Sequence, residues 1–177
     1  LSIRGYTNGI EITGVSTSLE IRGVAASSNI WYGIYLNGPA VDGNLIVSNT
    51  MIGRGAQSRG VYIVNGDRNR ITNSFIYSNS VAAVYMTGGD SASNTVAGNQ
   101  VLSSANYGIW INGPSASANR GVGNGLNGGN SGSWGVLLAD ADANVVSNNV
   151  VRGYVHSGVN ITAAAISNTI IANTIVS

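Results

Sequence analysis

The chain contains no cysteine and no lysine, and only 8% of its residues are charged, against roughly 25% in ordinary soluble domains. Without cysteine, neither a disulfide framework nor a cysteine-ligated metal site can form. A formal net charge of +1 gives no electrostatic basis for binding nucleic acid or an acidic membrane surface. No apolar run approaches the ~20 residues of a membrane span. We therefore expect no nucleic-acid partner and no membrane span.

Glycine and asparagine, by contrast, are abundant, at 25 and 23 of the 177 residues. Low-complexity segments, loop-rich domains and repeat proteins share such a composition. A hydrophobic fraction of 44% is too high for a disordered tract, and the length suffices for one domain with a hydrophobic core. A fixed repeat length distinguishes a repeat protein from the other two classes.

The sequence repeats with a period of 25 residues. The marker is an Asn followed five positions later by a second Asn or, once, by a Ser. Its first members lie 25, 25, 25, 25 and 24 residues apart. The six pairs are Asn44/Asn49, Asn69/Ser74, Asn94/Asn99, Asn119/Asn124, Asn144/Asn149 and Asn168/Asn173. The period explains why WYGIYLNGPAVDGN at 31–44 returns as NYGIWINGPSASAN at 106–119, because the two copies lie 75 residues, or three periods, apart.

Apolar residues recur at fixed places in each repeat and alternate at period two, which is typical of strands rather than helices. One copy of this pattern is Gly33-Ile34-Tyr35-Leu36. Gly, Asn, Ser and Asp separate the apolar segments and favour turns. The sequence therefore predicts an all-β parallel solenoid with about seven coils of ~25 residues. It forms one domain over residues 1–177, with like residues stacked at about 4.8 Å.

The second Asn of each pair has the parity of an inward-facing residue, so we expect its amide at a buried bend. A buried amide is costly unless it forms hydrogen bonds, and stacked Asn side chains can donate and accept along a column. The predicted structural ladder consists of Asn49, Asn99, Asn124, Asn149 and Asn173, with Ser74 as a weak rung. Gly121 leaves an inner apolar column empty, and the Gly-rich stretch after it predicts a loosened or bulged coil near 121–133.

The repeats NRITNSFIYSNSVAAVYM and NVVSNNVVRGYVHSGVNI resemble those of the pectin-lyase-like superfamily of right-handed, single-stranded parallel β-helices, including NosD-like, mannuronan-epimerase-like and tailspike-like repeats. The resemblance covers nearly the whole chain. It implies a right-handed coil, the usual hand of parallel crossovers, and a preference for extracellular polysaccharides. The Asn-Thr-Asp, Asp-Asp and Gly-His-Gly set of polygalacturonases and the Asp-Pro-His signature of mannuronan epimerases are absent from the sequence. No catalytic residue therefore carries over.

An aromatic residue occupies the outward position between the apolar pair in four consecutive repeats, at Tyr35, Tyr62, Tyr85 and Trp110. Three strand spacings place the ends of this stripe roughly 14 Å apart. Exposed aromatic rings offer apolar faces to sugar rings, so the stripe is the candidate carbohydrate-binding site. Two other interpretations stay open: the rings stabilise the sheet by cross-strand stacking, or a sister chain or a further segment covers them.

Four acidic residues, Asp42, Asp67, Asp140 and Asp142, fall in one turn region after the aromatic-bearing strand. Paired carboxylates serve in acid–base catalysis or hold Ca²⁺, whereas Asp in a turn commonly bonds its own backbone. His156, the only histidine, lies in the segment RGYVH and is a further catalytic candidate. We expect no metal or cofactor, with Ca²⁺ in the Asp turns as the alternative.

Two functions compete. The first is a non-catalytic extracellular module, at a cell or virion surface, that engages polysaccharide or glycan, or forms a rigid attachment shaft. The low charge and the aromatic stripe favour it. The alternative is part of a lyase, C5-epimerase or glycoside hydrolase acting on an acidic glycan. Neither 1–8 nor 170–177 has the polar character of a solenoid cap. We therefore expect a segment of a longer solenoid, whose ends are covered by flanking domains or by other subunits of a homo-oligomer.

Overall fold

The computed structural model of the protein describes residues 1–54, 57–104, 106–162 and 164–176. Within these ranges the chain forms twenty strands and no helix, and the strands pair in parallel. The same ranges accordingly hold no apolar helix of membrane-spanning length. The predicted all-β parallel solenoid of about seven coils is confirmed.

Each coil presents three faces. Face 1 carries the longer strands β2 (Asn8–Thr17), β5 (Tyr32–Asp42), β8 (Arg59–Val64), β11 (Ala82–Thr87) and β14 (Tyr107–Asn112). Face 2 consists of β3 (Glu20–Arg22), β6 (Leu45–Val47), β9 (Arg70–Thr72), β12 (Thr95–Ala97), β15 (Arg120–Val122), β17 (Val145–Ser147) and β19 (Thr169–Ile171). Face 3 consists of β1 (Ser2–Arg4), β4 (Ala25–Ser27), β7 (Thr50–Ile52), β10 (Phe75–Tyr77), β13 (Gln100–Leu102) and β20 (Thr174–Val176). The long strands β16 (Gly125–Ala139) and β18 (Val150–Thr162) run through face 3 and then face 1, and so join these two faces into one sheet.

Apolar side chains from all three faces meet in one continuous core. Ile34 on face 1, Ile46 on face 2 and Met51 on face 3 follow one another along the chain, and all three are fully buried. Each has an aliphatic partner in the next coil, as the register pairs Ile34 with Val61 and Ile46 with Ile71 show. Burial of each such side chain stabilises the folded state by about 1.5–3 kcal/mol. Stacking of like side chains in these columns also fixes the register between successive coils.

Buried Asn side chains flank face 2 on both sides and tie each coil to the coil before it. Asn69 is typical of the first column. Its Oδ1 accepts a hydrogen bond from the backbone N–H of Asn44 (2.9 Å), and its Nδ2 donates to the carbonyl of Val41 (2.8 Å). The residue before each Asn has positive φ, as at Gly43 (64°) and Ala143 (54°). This conformation suits Gly, Ser and Asn and produces the bend.

The second column repeats this arrangement with one exception. Asn99 accepts from the backbone N–H of Ser74 (2.9 Å) and donates to the carbonyl of Ile71 (2.8 Å). Ser74 accepts from the N–H of Asn49 (3.2 Å), but its hydroxyl donates to Thr72 of its own coil. Ser74 therefore makes one cross-coil bond where Asn99 makes three, because Nδ2 of Asn99 also donates to Oδ1 of Asn124 (3.1 Å). Amide-to-amide bonds of the kind that the sequence pattern predicted also join Asn44 to Asn69 (3.0 Å) and Asn124 to Asn149 (2.9 Å), in addition to the bonds to neighbouring backbone.

The Gly-rich stretch does not loosen the coil. β16 is one unbroken strand of 15 residues, and its register against β18 shifts between Asn127 and Gly132 and again between Gly132 and Trp134. The predicted irregularity is thus a bulge inside a continuous strand. The gap at Gly121 is closed by Ile109, whose Cδ1 lies 3.6 Å from the place where a Cβ would stand.

The bulge accommodates the ring of Tyr154, which packs against the core. A Cβ added to Gly132 would lie 2.8 Å from two carbons of this ring, and one added to Gly128 would lie 2.9 Å from it. Real Cβ atoms do not approach so closely, so the glycines provide the space for the ring. The Gly-rich composition of this coil therefore reflects packing.

Candidate functional site

The four predicted aromatic residues lie together on face 1. The strand register pairs Tyr35 with Tyr62, Tyr62 with Tyr85 and Tyr85 with Trp110. Their ring centroids are 5.3, 5.0 and 4.2 Å apart, with interplanar angles of 14°, 4° and 20°. These separations are close to the spacing of adjacent strands. The rings therefore form a stacked aromatic ladder, in which the interior rings cover each other's faces.

Stacking buries the middle of the ladder although it lies on the outer side of the sheet. Tyr85 is only 7% exposed. Burial raises the pKa of Tyr62 to about 12, because the phenolate would be poorly solvated, and the nearby Arg59 cation opposes this shift. The pKa of Tyr35 is also raised, chiefly by burial and then by Tyr32 and Glu11. At its middle the ladder therefore presents little free ring surface.

A second aromatic column, which the sequence analysis missed, runs beside the first. It contains Tyr32, Tyr107 and Trp134, together with Arg59 and Ala82 in the intervening coils. Tyr107 stacks on Trp134 at 5.4 Å and contacts Trp110 at 4.5 Å. The sequence contains a signal for this column, since each of these residues stands two positions before the first residue of the apolar pair. Together the two columns form an aromatic face across five coils.

Arg59 fills the place of a ring in this second column. Its guanidinium carbon lies 4.6 Å from the ring centroid of Tyr62, 5.0 Å from that of Tyr85 and 5.5 Å from that of Tyr32. Cations are attracted to the negative faces of aromatic rings at such distances. The aromatic face therefore holds one cation of the chain itself.

Two nitrogen donors on this face have no acceptor among the described residues, namely Nε1 of Trp110 and Nε of Arg59. Both atoms are shielded from solvent, and an unsatisfied buried donor is costly. By contrast, the hydroxyl of Tyr85 accepts a hydrogen bond from Nδ2 of Asn112 (3.2 Å). A ligand oxygen can reach these two donors only if the side chains that cover them move.

The predicted acidic residues mostly bind backbone groups of the next coil. Oδ1 of Asp42 accepts from the N–H of Asp67 (2.8 Å), and Oδ1 of Asp67 accepts from the N–H of Ala92 (2.7 Å). Arg68 also lies 3.0 Å from Asp42 and 3.8 Å from Asp67. Asp142 repeats this arrangement with the N–H of Ile166 (2.8 Å). These three carboxylates therefore connect successive turns.

His156 and Asp140 are not brought together. His156 is exposed just before the face 1 part of β18, with its ring 5.3 Å from Trp134. Asp140 has φ of 53° in the turn after β16, at the opposite end of the paired strands, or about 20 Å along the strand direction. In the described ranges no group of three or more His, Cys, Asp or Glu residues is arranged to hold a metal ion. Catalysis by these residues and Ca²⁺ binding in the Asp turns stay predictions.

Comparison with known proteins agrees with the fold. The chain superposes on a crystal structure of a point mutant of the periplasmic alginate epimerase AlgG with a TM-score of 0.63 and 14% sequence identity. The match covers 90% of this chain but 46% of the epimerase, so the chain spans less than half the length of that enzyme. None of the curated proteins matches the chain. The family described as "Right handed beta helix region" matches residues 8–177. The chain therefore belongs to the right-handed β-helix family.

Proposed function

We propose that this chain is a glycan-recognition module and that a polysaccharide lies across the aromatic face. One observation carries the proposal: an aromatic ladder runs along four consecutive coils of a single face, and a second column with aromatic residues in three of its five coils lies beside it. Contiguous apolar surface on a soluble protein usually marks a contact site. A polymer with a regular repeat is a suitable partner for a surface that repeats with every coil.

The chemistry of the face suits sugar rings better than a purely apolar partner. Aromatic side chains contact the C–H surface of a sugar, while the half-buried guanidinium of Arg59 on the same face can donate to its hydroxyl or carboxylate oxygens. The stacked rings are already ordered, so binding loses little side-chain entropy. We expect the main contacts at Trp110 and Trp134, which are half-buried, rather than at Tyr85, which other side chains cover.

Enzymatic processing of an acidic glycan is the second candidate. It is favoured by the likeness to AlgG, which is an alginate epimerase. Its weakness is that Asp42, Asp67 and Asp142 already bind backbone N–H groups, and that His156 lies far from Asp140. An extracytoplasmic location, as for that periplasmic enzyme, is part of both proposals.

The test is a glycan array that includes neutral and uronate polymers, followed by mass spectrometry of the bound glycan. We expect binding by the wild type, a loss of about tenfold or more in Trp110→Ala and Trp134→Ala, and no change in glycan mass. Trp110→Phe keeps a stacked ring in the ladder but offers a smaller aromatic surface, so it separates a lost ligand contact from a lost stack.

The matched control is Phe75→Ala with Tyr77→Ala. This stacked pair lies on face 3 and is 37% and 38% exposed, so its removal tests for unspecific aromatic contact. Equal losses from both faces, or no glycan binding at all, would contradict the recognition proposal. Shortened, unsaturated or epimerised products would establish the enzymatic alternative.

A further inference from the structure

An open cleft of about 530 Å³ lies where the aromatic ladder begins. Its walls include the side chains of Tyr6, Trp31, Tyr32 and Tyr35, together with Asn8 and Glu11. Tyr6 and Trp31 are 63% and 55% exposed. The volume falls within the range of small-ligand sites. The cleft therefore offers the free aromatic surface that the middle of the ladder lacks.

The rings of the cleft form a curved wall. Trp31 and Tyr32 are 6.2 Å apart, Tyr32 and Tyr35 are 4.8 Å apart, and both pairs are tilted by 48°. The ladder ends here because the partner of Tyr35 in the first coil is Glu11, which has no ring. A carboxylate thus stands where the next aromatic rung would be.

Glu11 gives the cleft a negative charge. Its Oε2 accepts a hydrogen bond from Nδ2 of Asn8 (2.8 Å), and within the described ranges no basic side chain pairs with it. The other glutamate, Glu20, is paired with Arg22. Oδ1 of Asn8 is shielded from solvent and has no donor among the described residues. The cleft therefore combines aromatic rings with the exposed carboxylate of Glu11, which can accept further donors.

Aromatic walls with a carboxylate are the chemistry that holds organic cations. The same face already binds one cation in this way, since Arg59 lies over Tyr32, Tyr62 and Tyr85. In the cleft no side chain of the described residues takes that place. A ligand with N–H donors can also hydrogen-bond to Glu11, which a quaternary ammonium ion cannot do.

We infer that this cleft binds an organic ammonium group, with the primary ammonium of a deacetylated amino sugar as its ligand. The positive group lies against the rings and donates to the carboxylate of Glu11. This site is separate from the contacts proposed at Trp110 and Trp134. Either proposal can therefore fail without the other.

The test is calorimetric titration with a glucosamine tetramer and with its N-acetylated counterpart, in mildly acidic buffer at low salt. The charged tetramer is expected to bind at least about tenfold more tightly than the acetylated one, since only it carries the ammonium group. Glu11→Gln and Trp31→Ala should each weaken it about tenfold, whereas the matched control Glu20→Gln should not. Added salt should weaken binding. Circular dichroism checks that each variant is folded.

Competition by glucosamine monomer at lower concentration than tetramethylammonium would support a site that uses N–H and O–H donors. Equal affinity for the charged and acetylated tetramers would overturn the inference, as would unchanged binding in Glu11→Gln. Absence of binding by either tetramer to the wild type would also overturn it, while leaving the array result for the aromatic face unaffected.

Discussion

At the residue scale, the Tyr62 hydroxyl couples ionisation to folding. Its pKa in the folded chain is about 12, against about 10 for an unfolded Tyr. A raised folded pKa means that the folded state holds the proton more tightly. This contribution to stability is complete below pH 10 and is lost as the pH rises through 12. We expect the melting temperature to fall over this alkaline window.

The measurement is thermal unfolding between pH 8 and 12 for the wild type, Tyr62→Phe and Tyr77→Phe. Tyr62→Phe should lose less stability over the window. A decrease remains, because burial also raises the pKa of Tyr154. The exposed Tyr77 on face 3 is the control, and its variant should follow the wild-type curve. Identical curves for all three proteins would show that Tyr62 is not buried in the ladder.

The position of the aromatic residues could be predicted from the sequence, but their packing could not. Period-two alternation places Tyr35 and Trp110 on the outer side of a strand whatever their neighbours are. Whether a ring offers its face to solvent depends on side chains 23–27 positions away, such as Arg59 beside Tyr85. Those contacts follow from the exact coil lengths, which insertions in the turns alter.

At the scale of the structural element, the bends beside face 2 show how a Ser in place of Asn affects stability. Asn99 and Asn124 donate to carbonyls 28 residues earlier, at Ile71 and Val96. The equivalent carbonyl for position 74 is that of Ile46, which the short Ser74 side chain does not reach. We expect Ser74→Asn to restore this bond and to raise the free energy of unfolding by about 0.5–1.5 kcal/mol.

Chemical denaturation measures this change. Asn99→Ser is the matched reverse substitution in the adjacent coil, and it should destabilise by a similar amount. A destabilising Ser74→Asn would show that the bend at position 74 is too tight for an amide, and that the Ser is there for space.

The bulge in β16 gives a second prediction at this scale. Gly132→Ala places a Cβ 2.8 Å from the Tyr154 ring and 3.0 Å from the carbonyl of Ser104, so it should cost about 1–3 kcal/mol through overpacking. Because the ring is the closer neighbour, Tyr154→Ala should absorb part of that cost. A double-mutant cycle by chemical denaturation should therefore give a favourable coupling energy of at least about 0.5 kcal/mol. Strict additivity would show that the backbone alone limits this glycine.

The bulge in β16 also shows how much of the structure the sequence repeat can predict. The departure from the repeat at Gly121 predicted an irregular coil correctly, because a missing inner side chain has to be compensated. The gap at Gly121 is filled by Ile109 of the same coil and the bulge by Tyr154 of the next coil, and neither residue carries a marker in the sequence. A sequence repeat therefore predicts the regular strands well. Where the repeat is broken, it predicts that the coil is irregular but not which side chains fill the gap.

At the scale of the whole molecule, the fold is one-dimensional, since each coil packs only against its neighbours. The inner column of face 2 runs through Ile46, Ile71, Val96 and Val146 to Ile170. Val96 is fully buried, whereas Ile170 in the last coil is 38% exposed. The same substitution at these two sites therefore tests how stability varies along the solenoid.

Val96→Asp should cost more than about 4 kcal/mol, because a carboxylate without a partner enters the core and both adjacent interfaces are lost. Ile170→Asp should cost only roughly 1 kcal/mol, because the side chain is already partly exposed and water solvates the carboxylate. Hydrogen exchange resolves the two cases. Val96→Asp should remove protection from several coils on both sides, while Ile170→Asp should affect β19 and β20 alone. Equal global loss in both variants would mean that the solenoid unfolds as one cooperative unit, and that its coils do not carry separate stabilities.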